Sequence, residues 1–261
     1  MVKKLVTYFW YFYEYIRQGD FKSVRSAIRY LIHRKSHSSD RLIRTSIGMF
    51  HCRKNTNDFQ FANYYYEWSV KKFILKHAGE FTVFIDGGAC IGDYSILLAN
   101  CGLRCFAFEP VRNNFDSLVV NIGLNEMDSQ IVAFPYALGD HSSTVGFYFD
   151  PVNTGASRVS RGDTVQNCTA EVRTFDSFVS DLHILPADNV LFKMDIEGME
   201  PEALEGARGF VRNVPNLTFV IEYKHSEWES VNSTLNSLGT FEVGIIDAYN
   251  LYAKKVHVKN R

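Results

Sequence analysis

Three short segments hold side chains whose types and spacing could do chemistry. At Asp86-Gly87-Gly88-Ala89-Cys90-Ile91-Gly92 an acid closes an apolar run, and glycines then lead into a helical stretch near Tyr94. Glycine lets a backbone turn tightly and approach a ligand closely. The spacing G-G-x-x-x-G is not the dinucleotide pattern G-x-G-x-x-G. About twenty residues on, a second apolar run ends in Phe108-Glu109-Pro110, where an acid can accept hydrogen bonds from both hydroxyls of a cofactor ribose. Asp86 and Glu109 therefore frame an adenosine; the plainer alternative is that each carboxylate caps the helix after it.

The third segment is Lys193-Met194-Asp195-Ile196-Glu197-Gly198-Met199-Glu200. Alternation along an extended chain puts Lys193, Asp195 and Glu197 on one side. Ionisable groups at the end of an apolar strand are costly unless they pair or face a polar cleft. The segment is thus either a site or a structural ion-pair network, and one does not exclude the other. His141, after the third apolar run, competes as an acid–base residue because imidazole titrates near physiological pH; a solvated loop histidine is the alternative. Asp195, Glu197 and Glu222 offer the hard oxygens that magnesium or calcium prefers. Their spacing fixes no distances, so the metal is left open.

The elements that must position these residues are short apolar runs alternating with helical stretches, the pattern of a parallel α/β sheet. The runs cover residues 81–85, 105–108, 131–134, 190–194 and 217–221, with a closing antiparallel hairpin from 242–246 and 251–254. The fold expected is a Rossmann-like α/β sheet, mostly parallel with an antiparallel last strand. The interval 140–186 is too long for one crossover and contains alternating segments at 144–149 and 169–174, read as an inserted hairpin. Residues 1–78 read as a helical extension, with helices over 21–34 and 64–77 and a polar stretch between them, and 79–261 as the α/β domain. The apolar residues of the extension need a partner surface, so it is not expected to stand alone.

With 46% apolar and 22% charged residues the chain has an ordinary globular composition, which argues against disorder. Its net charge of −1 hides an asymmetry: residues 1–54 hold twelve Lys and Arg against three acids, a net +9, leaving −10 elsewhere. A basic arm can bind anionic lipid or an acidic polymer, or can be a solvated face packed on an acidic neighbour. The stretch LVTYFWYFYEYI at 5–16 is too short to cross a bilayer and includes Glu14. It can lie in a membrane interface, or be buried against its own domain or the second subunit of a homo-oligomer. The five cysteines are scattered without a C-x-x-C pair, so neither a zinc site nor a disulfide framework is indicated, and a cytoplasmic location, free or peripheral at the membrane, is expected.

Taken together, residues 81–224 resemble the FkbM family of S-adenosylmethionine-dependent methyltransferases. The resemblance rests on FIDGGACIGDYS at 84–95, FAFEP at 106–110, the pair Asn121 and Asn125, YALGD at 136–140, the loop 153–157, TFDSF at 174–178, KMDIEGMEPEALEGA at 193–207, and the strand ending in Glu222. Upstream, RKNTNDFQFANYYYEW at 53–68 is similar to the lead-in segment of members near sugar-modification genes. Cys90 departs from the family pattern, which usually has Asn there.

The resemblance implies that Asp86, Gly87, Gly88, Ala89 and Gly92 line the methionine and ribose end of the cofactor. Glu109 and Pro110 would hold the ribose, Ala137 and Leu138 would lie by the adenine, and Asn125 would join the cofactor set. Asp195 and Glu197 would face the methyl group and the acceptor, with either as the base and Lys193 beside them. The implied reaction is O-methylation of a sugar or glycan acceptor, with no nucleic-acid partner. Two other readings share parts of the pattern: a nicotinamide-dependent oxidoreductase, disfavoured by the glycine spacing, and a non-catalytic module docking through the basic arm.

Overall fold

The structure is a computed structural model and describes residues 2–33, 36–156, 158–159 and 167–256. The N-terminal part consists of α1 (Val2–Arg17), α2 (Phe21–His33), β1 (Arg41–Arg44), β2 (Met49–Cys52), α3 (Asp58–Phe61) and α4 (Trp68–His77). The α/β part begins with β3 (Val83–Gly87), α5 (Asp93–Asn100), β4 (Arg104–Phe108), α6 (Arg112–Leu124) and β5 (Ile131–Phe134). An insertion follows: β6 (Ala137–Leu138), β7 (Ser143–Tyr148), β8 (Arg158–Val159), β9 (Cys168–Arg173) and α7 (Val179–Leu182). The chain then forms β10 (Val190–Met194), α8 (Glu200–Glu205), α9 (Arg208–Asn213), β11 (Leu217–Glu222), α10 (Trp228–Leu238), β12 (Phe241–Ile245) and β13 (Asn250–Lys255).

The main sheet has the order β12-β13-β11-β10-β3-β4-β5. The five strands read as parallel pair in parallel, and β13 runs antiparallel between β11 and β12. Every residue of β3 and β10 is buried, as expected of central strands covered on both faces. From β3 the chain winds outward through β4 and β5, whereas β10 lies on its other side. A crevice therefore opens at the carboxyl ends of β3 and β10, the topological switch point where open α/β sheets bind ligands. The inserted hairpin is also present: β7 pairs antiparallel with β9 in a second sheet of order β6-β9-β7-β8.

The N-terminal region differs from the expectation in two places. Residues 64–67 are not helical; α4 starts at Trp68 because Glu67 adopts a left-handed conformation (φ 50°). Nor are residues 1–78 helical throughout, since β1 and β2 pair antiparallel across Thr45 to Gly48. Runs of four residues carry too little periodicity to announce themselves, and this pair depends on a distant helix. On α6, Asn121 Oδ1 accepts the His51 N–H at 2.8 Å and Asn125 Oδ1 accepts the Met49 N–H at 2.8 Å. Asn125 Nδ2 donates back to the Met49 carbonyl at 2.8 Å, so one amide completes the free edge of β2. Gly48 is needed beside it, because a Cβ there would collide with Asn125 Oδ1.

Asn125→Ala should therefore leave both Met49 backbone groups without partners and cost about 1–3 kcal/mol in urea unfolding. An unchanged midpoint and slope would show that the hairpin does not need this amide. The two parts of the chain share one apolar cluster, in which Tyr15, Tyr30, Phe50 and Phe59 pack with Phe84, Leu97 and Leu191.

Candidate active site

The site grows from the ends of three neighbouring strands. Asp86, at the end of β3, is 1% exposed. Its Oδ2 accepts from Ser95 Oγ at 2.6 Å, whereas its Oδ1 has no hydrogen-bond partner. Burial pushes its pKa up to about 6, against the pull of Lys193. The glycine loop is tied across to β4: Gly88 and Ala89 N–H both donate to the Phe108 carbonyl, at 3.0 and 2.9 Å. Gly88 needs to be glycine twice over, since its φ is +90° and a Cβ would overlap the Asp195 carbonyl oxygen. Cys90 is left-handed too (φ 48°), a conformation that Asn tolerates far better than Cys. That accounts physically for Asn at this position in the family pattern.

Glu109, just past β4, is 5% exposed. Its Oε2 accepts the Cys90 N–H and its Oε1 the Val111 N–H, each at 2.9 Å. Burial pushes its pKa up to about 7 despite these backbone donors. The carboxylate is thereby aimed by the loop it faces, and it retains lone pairs toward the cavity.

At the end of β10, Lys193 is buried and donates to Asp195 Oδ2 at 2.8 Å, with its ammonium 4.7 Å from the centre of the Tyr94 ring. Burial pulls its pKa down, but the carboxylates of Asp195, Glu67 and Asp86 outweigh that and hold it above its ordinary value. Conversely, burial raises Asp195, but Lys193 outweighs it and leaves the carboxyl below the usual range. Glu197 and Gly198 are left-handed (φ 56° and 102°), and Glu200 clasps this turn by accepting the Ile196 N–H at 3.0 Å and the Gly198 N–H at 3.1 Å.

These residues divide two adjoining cavities. The first, of about 520 Å³, is lined by Glu109, Pro110, Ala137, Leu138, Tyr136 and Met199. The second, of about 960 Å³, is lined by Glu67, Asp86, Ala89, Tyr94, Lys193 and Glu222, among others. Gly88, Cys90, Gly155, Asp195 and Glu197 line both. Of the loop 153–157, Asn153 and Gly155 line the second cavity, and Ser157 lies outside the described residues.

Four expected site residues are elsewhere. Gly87 ends β3 packed against β10, Gly92 caps α5 against Leu118, and neither lines these two cavities. Asn125 is spent on β2, as described above. His141 is exposed and paired with Asp140 at 2.7 Å, away from both cavities. The possible metal set also changes. Asp195 is tied to Lys193, and the described residues that could together hold an ion are Glu197, Glu222 and His225, whose ligand atoms lie within 4.8 Å of one another. His225 Nε2 already pairs with Glu197 at 3.1 Å, and burial together with Asp195 and Glu197 pushes Glu222 up to about 9.

Sequence reasoning missed Glu67. It reaches the second cavity from the N-terminal part, accepts the Tyr94 hydroxyl at 2.9 Å, and is pushed up to about 7 by burial and by Asp195. Nothing local in YYYEW signals this, because the left-handed turn that aims it is set by tertiary packing.

No curated protein sequence matches the chain. Among solved structures, the chain is similar to the methyltransferase FkbM from Methylobacillus flagellatus (19% identity, 77% of this chain and 56% of that one, TM-score 0.47). It is also similar to the M. jannaschii tRNA m1G37 methyltransferase (12% identity, 73% and 50%, TM-score 0.40). A third is magnesium protoporphyrin IX methyltransferase from Synechocystis PCC 6803 (11% identity, 73% and 79%, TM-score 0.43). The chain spans about half the length of the first two, 56% and 50%. The family model for the Methyltransferase FkbM domain matches residues 86–243, which is more than half of the chain and includes Asp86, Glu109, Asp195 and Glu197. The chain belongs to the FkbM methyltransferase family.

Proposed function

We propose that the chain transfers a methyl group from S-adenosylmethionine to a hydroxyl oxygen of a sugar in a glycan, polysaccharide or glycosylated natural product. The observation that carries this reading is the pair of cavities with a common wall at Asp195 and Glu197. The first cavity combines a strand-end acid with the apolar Leu138, Tyr136 and Met199, a lining suited to a nucleoside. The second is rich in carboxylates and tyrosines, which suits an acceptor with several hydroxyls.

The residues fit the cofactor. Glu109 has lone pairs left for ribose hydroxyls, and the unpartnered Oδ1 of Asp86 offers a buried acceptor for the ammonium or a hydroxyl. When bound, S-adenosylmethionine supplies a methyl group on a cationic sulfur. The protein's own work is to align the acceptor oxygen and remove its proton. Asp195, held ionised by Lys193, is a weak proton acceptor and serves better to orient. Glu197 on the common wall and Glu67 across the second cavity are the carboxylates suited to take the proton. With Glu67 near 7, turnover should rise with pH through that value as the carboxyl ionises. A divalent ion at Glu197, Glu222 and His225 would instead hold the acceptor oxygens in place.

The test is to incubate the protein with methyl-labelled cofactor and glycan or polysaccharide extracts, and to locate the label by mass spectrometry. The expected product is an O-methyl sugar, one methyl group heavier than its precursor. Label found on nitrogen or carbon, or in nucleic acid or protein, would contradict this reading.

A further inference from the structure

The outward side of the first two helices sorts its residues by chemistry. On α1 the exposed apolar residues Val6, Phe9, Trp10, Tyr13 and Ile16 recur at helical spacing and form one stripe. On α2 a matching stripe is formed by Phe21, Ile28, Leu31 and Ile32, with Phe21 at 69% and Ile32 at 68% exposure. Exposed Arg17, Lys22 and Arg29 lie beside these stripes, and exposed Arg25, four residues after Phe21 and three before Ile28, lies within the second.

The two acids of residues 2–33 are turned inward. Glu14 is fully buried and accepts the Ser46 N–H at 2.6 Å and the Ser46 hydroxyl at 3.0 Å. Asp20 is held by Arg41 at 2.5 Å and by the Ser23 N–H at 3.1 Å. Among the described side chains of these helices, the charged groups that face outward are therefore all cationic.

We propose that this face docks on an anionic lipid bilayer. Among the described residues no helix is long and apolar enough to cross a membrane. A short amphipathic helix with large apolar residues on one side and Arg and Lys beside them instead lies in the interface, with its charges at the headgroups. Aromatic side chains with one polar end suit the same depth. Trp10 stacks on Tyr65 at 5.0 Å, and Tyr65 meets Trp68 at 5.2 Å. From Tyr65 the chain passes directly into Tyr66 and Glu67, which line the second cavity. The docking face and that cavity are thus joined through one segment. The inference stands apart from the proposed reaction, because it needs neither cofactor nor acceptor.

The full chain should co-sediment with vesicles of phosphatidylcholine containing roughly one-third phosphatidylglycerol, and far less with phosphatidylcholine alone. Raising salt from about 0.1 to about 1 M, which shortens the screening length from about 10 to about 3 Å, should release much of it. The double variant R25E/R29E should lower partitioning at least about tenfold. F21S/I32S should lower it by about as much. All four positions are exposed, so the melting curves should not move. Absence of binding to the anionic vesicles overturns the proposal, as does equal binding to neutral ones. A wild-type dimer in light scattering that F21S/I32S converts to monomer, without vesicle binding, shows that a second copy covers the face and also overturns it. The wild-type salt series decides the matter even if a variant fails to fold.

Discussion

Lys193→Met should lower the unfolding free energy by about 3–5 kcal/mol at pH 8, and much of that loss should be absent at pH 5. The lysine is 4% exposed and is the cation for Asp195, with Asp86 and Glu67 also within its influence. Methionine keeps most of the volume but takes the shared cation from the buried Asp86 and the half-buried Asp195 and Glu67, leaving Lys71 to act on Glu67 and Lys224 on Asp195. Asp195, now below its ordinary value because of Lys193, would move upward once burial is opposed only by Glu222 and Lys224. A carboxyl whose folded pKa lies above its unfolded one stabilises the protein below the unfolded value, and that contribution is lost as pH rises through the folded value. Asp86 at about 6 and Glu67 at about 7 already behave this way and would shift further upward. The deficit of the variant should therefore widen from acid to alkaline pH. Urea unfolding at the two pH values measures it. An equal deficit at both would mean that Lys193 contributes packing and not charge.

Gly88→Ala should lower affinity for S-adenosylhomocysteine by about a hundredfold or more and reduce stability as well. The residue has φ +90°, which costs a side chain about 1–2 kcal/mol. Its added Cβ would also overlap the Asp195 carbonyl oxygen, which belongs to backbone and has no rotamer to escape into. Relief requires the loop to move off β10, and that carries Cys90 away from Glu109. Gly102 supplies the control: it has the same φ of +90°, with nothing within 4 Å of an added Cβ. Gly102→Ala should cost only the backbone penalty and leave binding intact. Calorimetric titration of both variants separates the effects. Equal behaviour would show that the loop's contact with β10 is immaterial to the site.

What could be read from the sequence follows from where the constraints lie. Strands β3 and β10 are buried on both faces, so their sequences are apolar up to Asp86 and Lys193, and the polar groups near their carboxyl ends had to face a crevice or pair. Asp86, Glu109, Asp195 and Glu197 were legible for that reason. Glu67 was not, because its position depends on a left-handed turn and on Tyr94 from another helix. Asn125 is part of the resemblance to the family, yet its side chain is engaged with the Met49 backbone of β2 and lines neither cavity, a placement its sequence position did not announce. The β1–β2 pair was invisible for the same reason, since its partner donors and acceptors lie about seventy residues away on α6. His225 joined Glu197 only through the pairing of β10 with β11, which brings the ends of these strands together.

The central claim is that the crevice at the carboxyl ends of β3 and β10, flanked by the end of β4, is a nucleoside site for S-adenosylmethionine, with Glu109 as a ribose acceptor. Calorimetric titration of the purified chain with S-adenosylhomocysteine and, separately, with NADH tests it most directly. The expected result is one equivalent of S-adenosylhomocysteine bound and no heat with NADH. Glu109→Ala should then weaken binding by roughly 1.5–3 kcal/mol, the worth of a charge-assisted hydrogen bond, and should also lower stability by about 1–3 kcal/mol because the Cys90 and Val111 N–H groups lose their acceptor. Binding of NADH in place of S-adenosylhomocysteine, or unchanged affinity in Glu109→Ala, would contradict it.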